Sequence, residues 1–127
     1  ELSRIMLAIK TVLADSDDIP TLIFDEIDTG ISGRTAQKVA EKLAVISRNH
    51  QVICITHLPQ IASIGDCHFE IKKSTDGEST KTRILRLNEK DTVTELARLL
   101  GGAQITEAVL QNASEMKKLA EQTKKRR

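Results

Sequence analysis

Asp25 and Glu26 stand side by side at the end of the apolar run "TLIF", and a glycine-spaced loop, "IDTGISG", follows them at once. A carboxylate is costly in an apolar interior unless it is paired, hydrated or bound to metal, so the pair belongs where a buried strand emerges at a site. Successive strand residues point to opposite sides, so the two acids cannot serve one atom in the same way. The arrangement suits a division of labour in which one carboxylate holds a metal, directly or through water, and the other orients and deprotonates an attacking water. A second polar pair, Thr56 and His57, closes the apolar run "QVICI".

The elements that must carry these pairs are legible in the pattern. "TLIF" and "QVICIT" are apolar runs too short for stable helices, and the second is rich in β-branched residues, so both read as buried strands. Between them Ala36, Val39, Ala40, Leu43 and Ile46 recur at helical spacing behind Ser32, a residue suited to capping. Strand, helix, strand implies a parallel pair with a right-handed crossover. Ligands of open parallel sheets bind beyond the carboxyl ends of the strands, where Asp25-Glu26 and Thr56-His57 lie.

The flanking sequence supplies the rest. Leu2, Ile5, Met6, Ile9, Val12 and Leu13 predict an amphipathic helix ending near "DSDD", with Pro20 as punctuation. "LPQIASIG" fits one short helix, and "HFEIKK" and "TKTRILRL" flank "TDGES" as a hairpin. Thr92 and Glu95 have capping-box spacing ahead of Val93, Leu96, Ala97 and Leu100, and Gly101-Gly102 closes that helix. A last helix, with Ile105, Val109, Met116 and Leu119 on its apolar side, runs into Lys124, Lys125, Arg126 and Arg127. That basic run reads as a solvated helix end in preference to a DNA contact.

Composition narrows the classes. The 127 residues, 39% hydrophobic and 29% charged with a net charge of +1, fit one globular domain and give no argument for nucleic-acid binding from overall charge. No stretch reads as a secretion signal or as an apolar run of about 20 residues able to span a bilayer, so a cytoplasmic setting is expected. Cys54 and Cys67 lack metal-ligand spacing and read as reduced structural residues, and His50 and His68 as surface or packing residues.

Specific motifs carry a family resemblance. "LIFDE" is similar to the Walker B strand of the ATP-binding-cassette class of ATPases, "DTGIS" stands where that class has its D-loop, and "ICITH" resembles its H-loop strand with the switch histidine. The opening "ELSR" before a helix fits the residues after the class's signature loop. Transporter members have Pro after the acidic pair, whereas Ile27-Asp28 resembles the chromosome-structuring SMC group. "DEIDTGISGRTAQ", "QVICITHLPQIAS" and "ELARLLGG" together are similar to the SMC-like DNA-repair ATPases of bacteria, across nearly the whole chain. SMC relatives generally end the D-loop in Asp, where this chain has Ser32.

The resemblance implies an α/β fold for residues 1–127: part of a P-loop NTPase head of the ABC/SMC type, with a mostly parallel sheet, a terminal β-hairpin and carboxy-terminal helices. It implies that Asp25 helps hold Mg²⁺, that Glu26 is the general base for the hydrolytic water, and that His57 contacts the γ-phosphate of ATP. Asp28, Thr29, Gly30 and Ser32 would lie where two heads meet and couple their nucleotide sites. The implied cofactors are ATP and Mg²⁺. The implied partners are the amino-terminal half of the head, a second head in an ATP-dependent homodimer, and DNA through the complete protein; no membrane is implied, and the setting is the nucleoid.

No G-x-x-x-x-G-K-[ST] phosphate loop occurs in the chain, although that loop supplies the amides and lysine that cradle phosphates. The expectation is therefore the carboxy-terminal part of an ATPase head of a repair and recombination protein, inactive alone and without tight nucleotide binding. In the resembled fold, the strand leading into that loop lies between the strand ending at His57 and the one beginning near His68. Without it, those edges are expected to pair directly or to be covered by self-association. Two other readings stay open. One is a non-catalytic α/β interaction module. The other is a phosphotransfer domain with Asp25 as acceptor, which needs a lysine at another strand end that "QVICITH" and "HFEIKK" do not convincingly provide.

Overall fold

A computed structural model describes residues 2–13, 16 and 18–126; Glu1 of the opening motif, Asp15 and Asp17 of "DSDD", and Arg127 lie outside the described residues. The chain runs α1 (Leu2–Leu13), β1 (Thr21–Asp25), α2 (Gly33–Ile46), β2 (Gln51–Ile55), the single turn α3 (Pro59–Ala62), β3 (Phe69–Asp76), β4 (Ser79–Arg86), α4 (Glu89–Gly101) and α5 (Glu107–Arg126).

The architecture is mixed α/β with a small parallel sheet. β1 and β2 pair in parallel, from Thr21 opposite Gln51 to Asp25 opposite Ile55, and α2 connects them as the pattern requires. Leu22 and Phe24 of β1, with Val52 and Cys54 of β2, share one core with Ala36, Val39, Ala40, Leu43 and Ile46 of α2. Full burial of such Leu, Ile, Val and Phe side chains stabilises by about 1.5–3 kcal/mol each, so this face holds the strands to the helix. The other face is open. Ile23 is 67% exposed, and Ile53 and Ile55 stand beside it on β2, also exposed.

β3 and β4 form a separate antiparallel hairpin, with Asp76 opposite Ser79 and a two-residue loop at Gly77-Glu78. Gly77 has φ 60°, the left-handed conformation that tight hairpin turns demand. The strands reach into "TDGES", whose Thr75, Asp76 and Ser79 are all paired. Among the described residues β2 pairs only with β1, so the facing edges of β2 and β3 do not close on each other.

Two local expectations are corrected, and α1 forms the expected amphipathic helix with its stripe uncovered. α4 starts at Glu89, ahead of Thr92: Asn88 Oδ1 accepts from Asp91 N at 2.7 Å, while Thr92 Oγ1 turns back to donate to Asn88 O. Asn88 with Asp91 is itself a capping sequence, and it wins because it also satisfies the first turn. In α1 the apolar stripe from Leu2 to Leu13 is exposed, and Leu7 is the residue that enters the core. Ile105 precedes α5, and Leu119 points out; Val109 packs as expected, joined by Ala113 against Leu96 and Ala97 of α4, while Ala120 enters the main core.

α5 is also fixed by charge. Lys117 Nζ donates to Gly65 O at 2.7 Å and to Ser63 O at 3.2 Å, capping the carbonyls that follow α3. Lys124 Nζ lies 2.7 Å from Asp66 Oδ1 and 2.8 Å from Glu121 Oε1. The first residue of the basic tail is thus engaged in packing.

Candidate functional site

Asp25, the last residue of β1, lies opposite Ile55, so Glu26 and His57 emerge at the same end of the parallel pair. Asp25 belongs to the open face by alternation with the exposed Ile23. Glu26 then leaves the strand with φ 56°, the one left-handed non-glycine residue among those described. A residue with a Cβ pays about 1–2 kcal/mol for that conformation, which makes the turn at Glu26 a backbone feature held by its surroundings. Thr29 N donates to Glu26 O and Ile31 N to Asp28 O, each at 3.3 Å, so the loop is two consecutive turns.

The burial of Ile27, 1% exposed, anchors this loop and turns the neighbouring Asp28 inward. Asp28 is 2% exposed, and its Oδ2 accepts from Thr56 Oγ1 at 2.5 Å and from His57 N at 2.9 Å, with His57 Nδ1 at 3.0 Å. Burial alone would raise the Asp28 carboxyl. The hydrogen bonds from the Thr56 hydroxyl, the His57 amide and its own backbone, together with the His57 ring, outweigh it and hold Asp28 below the ordinary carboxylate range. Leu58 N donates to Thr56 Oγ1 at 3.1 Å, so the hydroxyl is fixed from both sides. His57 itself is 73% exposed.

The structure thus gathers Asp25, Glu26, Asp28 and His57 at one strand end, and separates the loop residues expected to act together. Thr29, Gly30 and Ser32 are exposed, whereas Asp28 is interior. Gly30 has φ 73°. Ser32 occupies the position before α2 without a side-chain capping bond; its carbonyl accepts from Thr35 N at 3.2 Å. Thr56 is the residue whose part the sequence pattern did not give. Its signal was a hydroxyl immediately before His57 at the end of an apolar run.

Nearby groups are structural. Cys54 is half-buried under the same strand end, and burial, with the charges of Asp28 and Asp25, pushes its thiol up to about 11, so it is a poor nucleophile at neutral pH. His50 is buried with Nδ1 2.6 Å from Ile19 O, and His68 Nε2 lies 2.7 Å from Ala62 O, its pKa lowered chiefly by burial. Among the described residues no three His, Cys, Asp or Glu side chains form a metal cage. A cleft of about 550 Å³ lined by residues that include His68, Arg86, Lys117 and Glu121 contains none of the candidate residues. No described helix is long and apolar enough to cross a membrane.

No family model matches the chain. Curated relatives do. The DNA repair protein RecN of Bacillus subtilis (strain 168) is 44% identical over 124 residues, 98% of this chain and 22% of that protein. RecN of Haemophilus influenzae is 51% identical over 116 residues, 91% of this chain and 21% of that protein, and RecN of Vibrio cholerae is 48% identical with the same coverage. The chain spans about a fifth of the length of these relatives and corresponds to their carboxy-terminal part.

Proposed function

We propose that this chain, which matches the carboxy-terminal part of RecN proteins over nearly its whole length, is the carboxy-terminal lobe of an ATP-hydrolysing head in a protein of DNA repair and recombination. One observation carries the reading: an acidic pair and a histidine emerge at the same end of two parallel strands, with a buried aspartate tying the loop after the first strand to the end of the second. The exposed apolar residues Ile23, Ile53 and Ile55 beside that end, and the exposed stripe of α1, fit a lobe that packs against more protein.

In this reading Glu26 is the general base. Its position one residue beyond the strand, on a turn in the left-handed region, supports that reading by putting Glu26 at the strand end. Asp25 is the residue that would hold Mg²⁺. A single strand-end carboxylate suits this ion, which keeps several waters and otherwise takes phosphate oxygens. Bound there, the ion would supply neutralisation of phosphate charge. His57, whose ring is exposed, would face the phosphate end, where an imidazole carrying a proton on its outward nitrogen would stabilise charge that develops in phosphoryl transfer. Thr29, Gly30 and Ser32 form the exposed rim at which a second head would meet this one, and the phosphate cradle comes from elsewhere in the complete protein.

Asp25→Asn tests the assignment in the full-length protein. Nucleotide affinity measured with Mg²⁺ is expected to fall, while affinity measured in EDTA stays near wild type. Equal affinities for variant and wild type in Mg²⁺ would remove Asp25 from the metal role.

A further inference from the structure

Asp28 has a different environment from the other loop residues. It is interior where Thr29, Gly30 and Ser32 are exposed, and its contacts run to the end of β2 and not outward. We propose that Asp28 is the positioning residue for His57, its Oδ2 clamping the imidazole as the Nδ1–H tautomer with Nε2 turned outward. The proposal rests on the nucleotide role given to His57 above and adds how that ring is set.

Three observations carry it. The His57 amide and the His57 Nδ1 converge on the same Oδ2, at 2.9 and 3.0 Å, so backbone and ring are referred to one atom. The Thr56 hydroxyl, donating to that oxygen at 2.5 Å and accepting from Leu58 N, in turn fixes the carboxylate. The His57 side chain as a whole is 73% exposed, so packing does little to orient its ring.

An ionised carboxylate only accepts, and hydrogen bonds hold Asp28 in that form, so the proton between the two groups sits on Nδ1. A carboxylate 3.0 Å from one imidazole nitrogen biases which of the two carries the proton. A neutral ring held this way presents a lone pair at Nε2. It becomes a donor to an anionic oxygen only with a second proton, whose charge Asp28 balances. Asp28 therefore acts through His57 and does not touch nucleotide itself.

The test is nuclear magnetic resonance of the full-length protein labelled with ¹⁵N-histidine, with His57 signals identified by their loss in His57→Gln. The expected wild-type result is the Nδ1–H tautomer. Asp28→Asn should retain it, because an amide oxygen still accepts, whereas Asp28→Ala should relax toward the Nε2–H form usual in solvent. In steady-state ATP hydrolysis, Asp28→Ala should lower kcat roughly 10- to 100-fold, by analogy with removal of the carboxylate that orients a metal-ligating histidine. KM should change little, and Asp28→Asn should fall between. An Nε2–H tautomer in the wild-type protein overturns the proposal regardless of how any variant folds. So does one tautomer shared by wild type and a folded Asp28→Ala, or a tautomer lost with kcat unchanged. Failure of the nucleotide reading looks different: the wild-type protein would not hydrolyse ATP while the tautomer responded to Asp28 as described.

Discussion

The Thr56 hydroxyl stands 2.5 Å from Asp28 Oδ2, so the end of β2 is tied to the loop after β1 by a side chain reaching across 28 residues of sequence. Thr56→Val keeps the shape of the side chain but removes one donor from a buried carboxylate and the acceptor used by Leu58 N. The expected cost is about 1–3 kcal/mol of stability, with Thr56→Ser recovering most of it, by denaturant titration. Equal stability of the Val variant and wild type would show that the hydroxyl bridge carries no weight.

Acid sensitivity follows from the direction of the Asp28 shift. Its folded-state value lies below the ordinary 3.8, so the folded protein binds fewer protons than the unfolded chain. Its contribution is fully present above the unfolded value and is lost as pH falls through the folded one. Glu121 lies below its ordinary 4.5 in the same sense: burial opposes the shift, and the hydrogen bonds and charges of Lys124 and Lys117 outweigh it. Stability is therefore expected to fall below about pH 4, and the difference between wild type and Asp28→Asn should shrink over the same range. Melting midpoints from pH 7 to pH 3 check this; a constant difference between the two proteins would contradict it.

The backbone at Glu26 gives a prediction independent of chemistry. With φ at 56°, a Cβ is disfavoured there and glycine is not. Glu26→Gly is expected to be about 1 kcal/mol more stable than Glu26→Ala. Denaturation of the two variants decides the matter, and an Ala variant as stable as the Gly variant would mean that the turn is not held in the left-handed region.

How much of this was legible in the sequence depended on the range of the interaction. β1, β2 and α2 were readable because apolar residues within a few positions reveal strands and a helical face, and the acidic pair was readable as a strand-end feature. The inward turn of Asp28 was not. Nothing local distinguishes it from Thr29 or Ser32, because its partners Thr56 and His57 come from the next strand. The start of α4 is ambiguous in the sequence because Thr92 and Glu95 share capping spacing with Asn88 and Asp91, and only the bond from Asp91 N shows which pair caps. α1 is amphipathic as its periodicity predicts, but periodicity says which side is apolar and not whether anything covers it.

Central to the account is the claim that Glu26 is the base of an ATPase completed elsewhere in the protein. Its most direct test is single-turnover ATP hydrolysis by full-length protein carrying Glu26→Gln, with nucleotide binding measured alongside. The amide keeps the size of the side chain and removes its basicity, so binding is expected to persist while hydrolysis falls by roughly 10²- to 10⁴-fold. Hydrolysis near the wild-type rate with binding intact would contradict the claim.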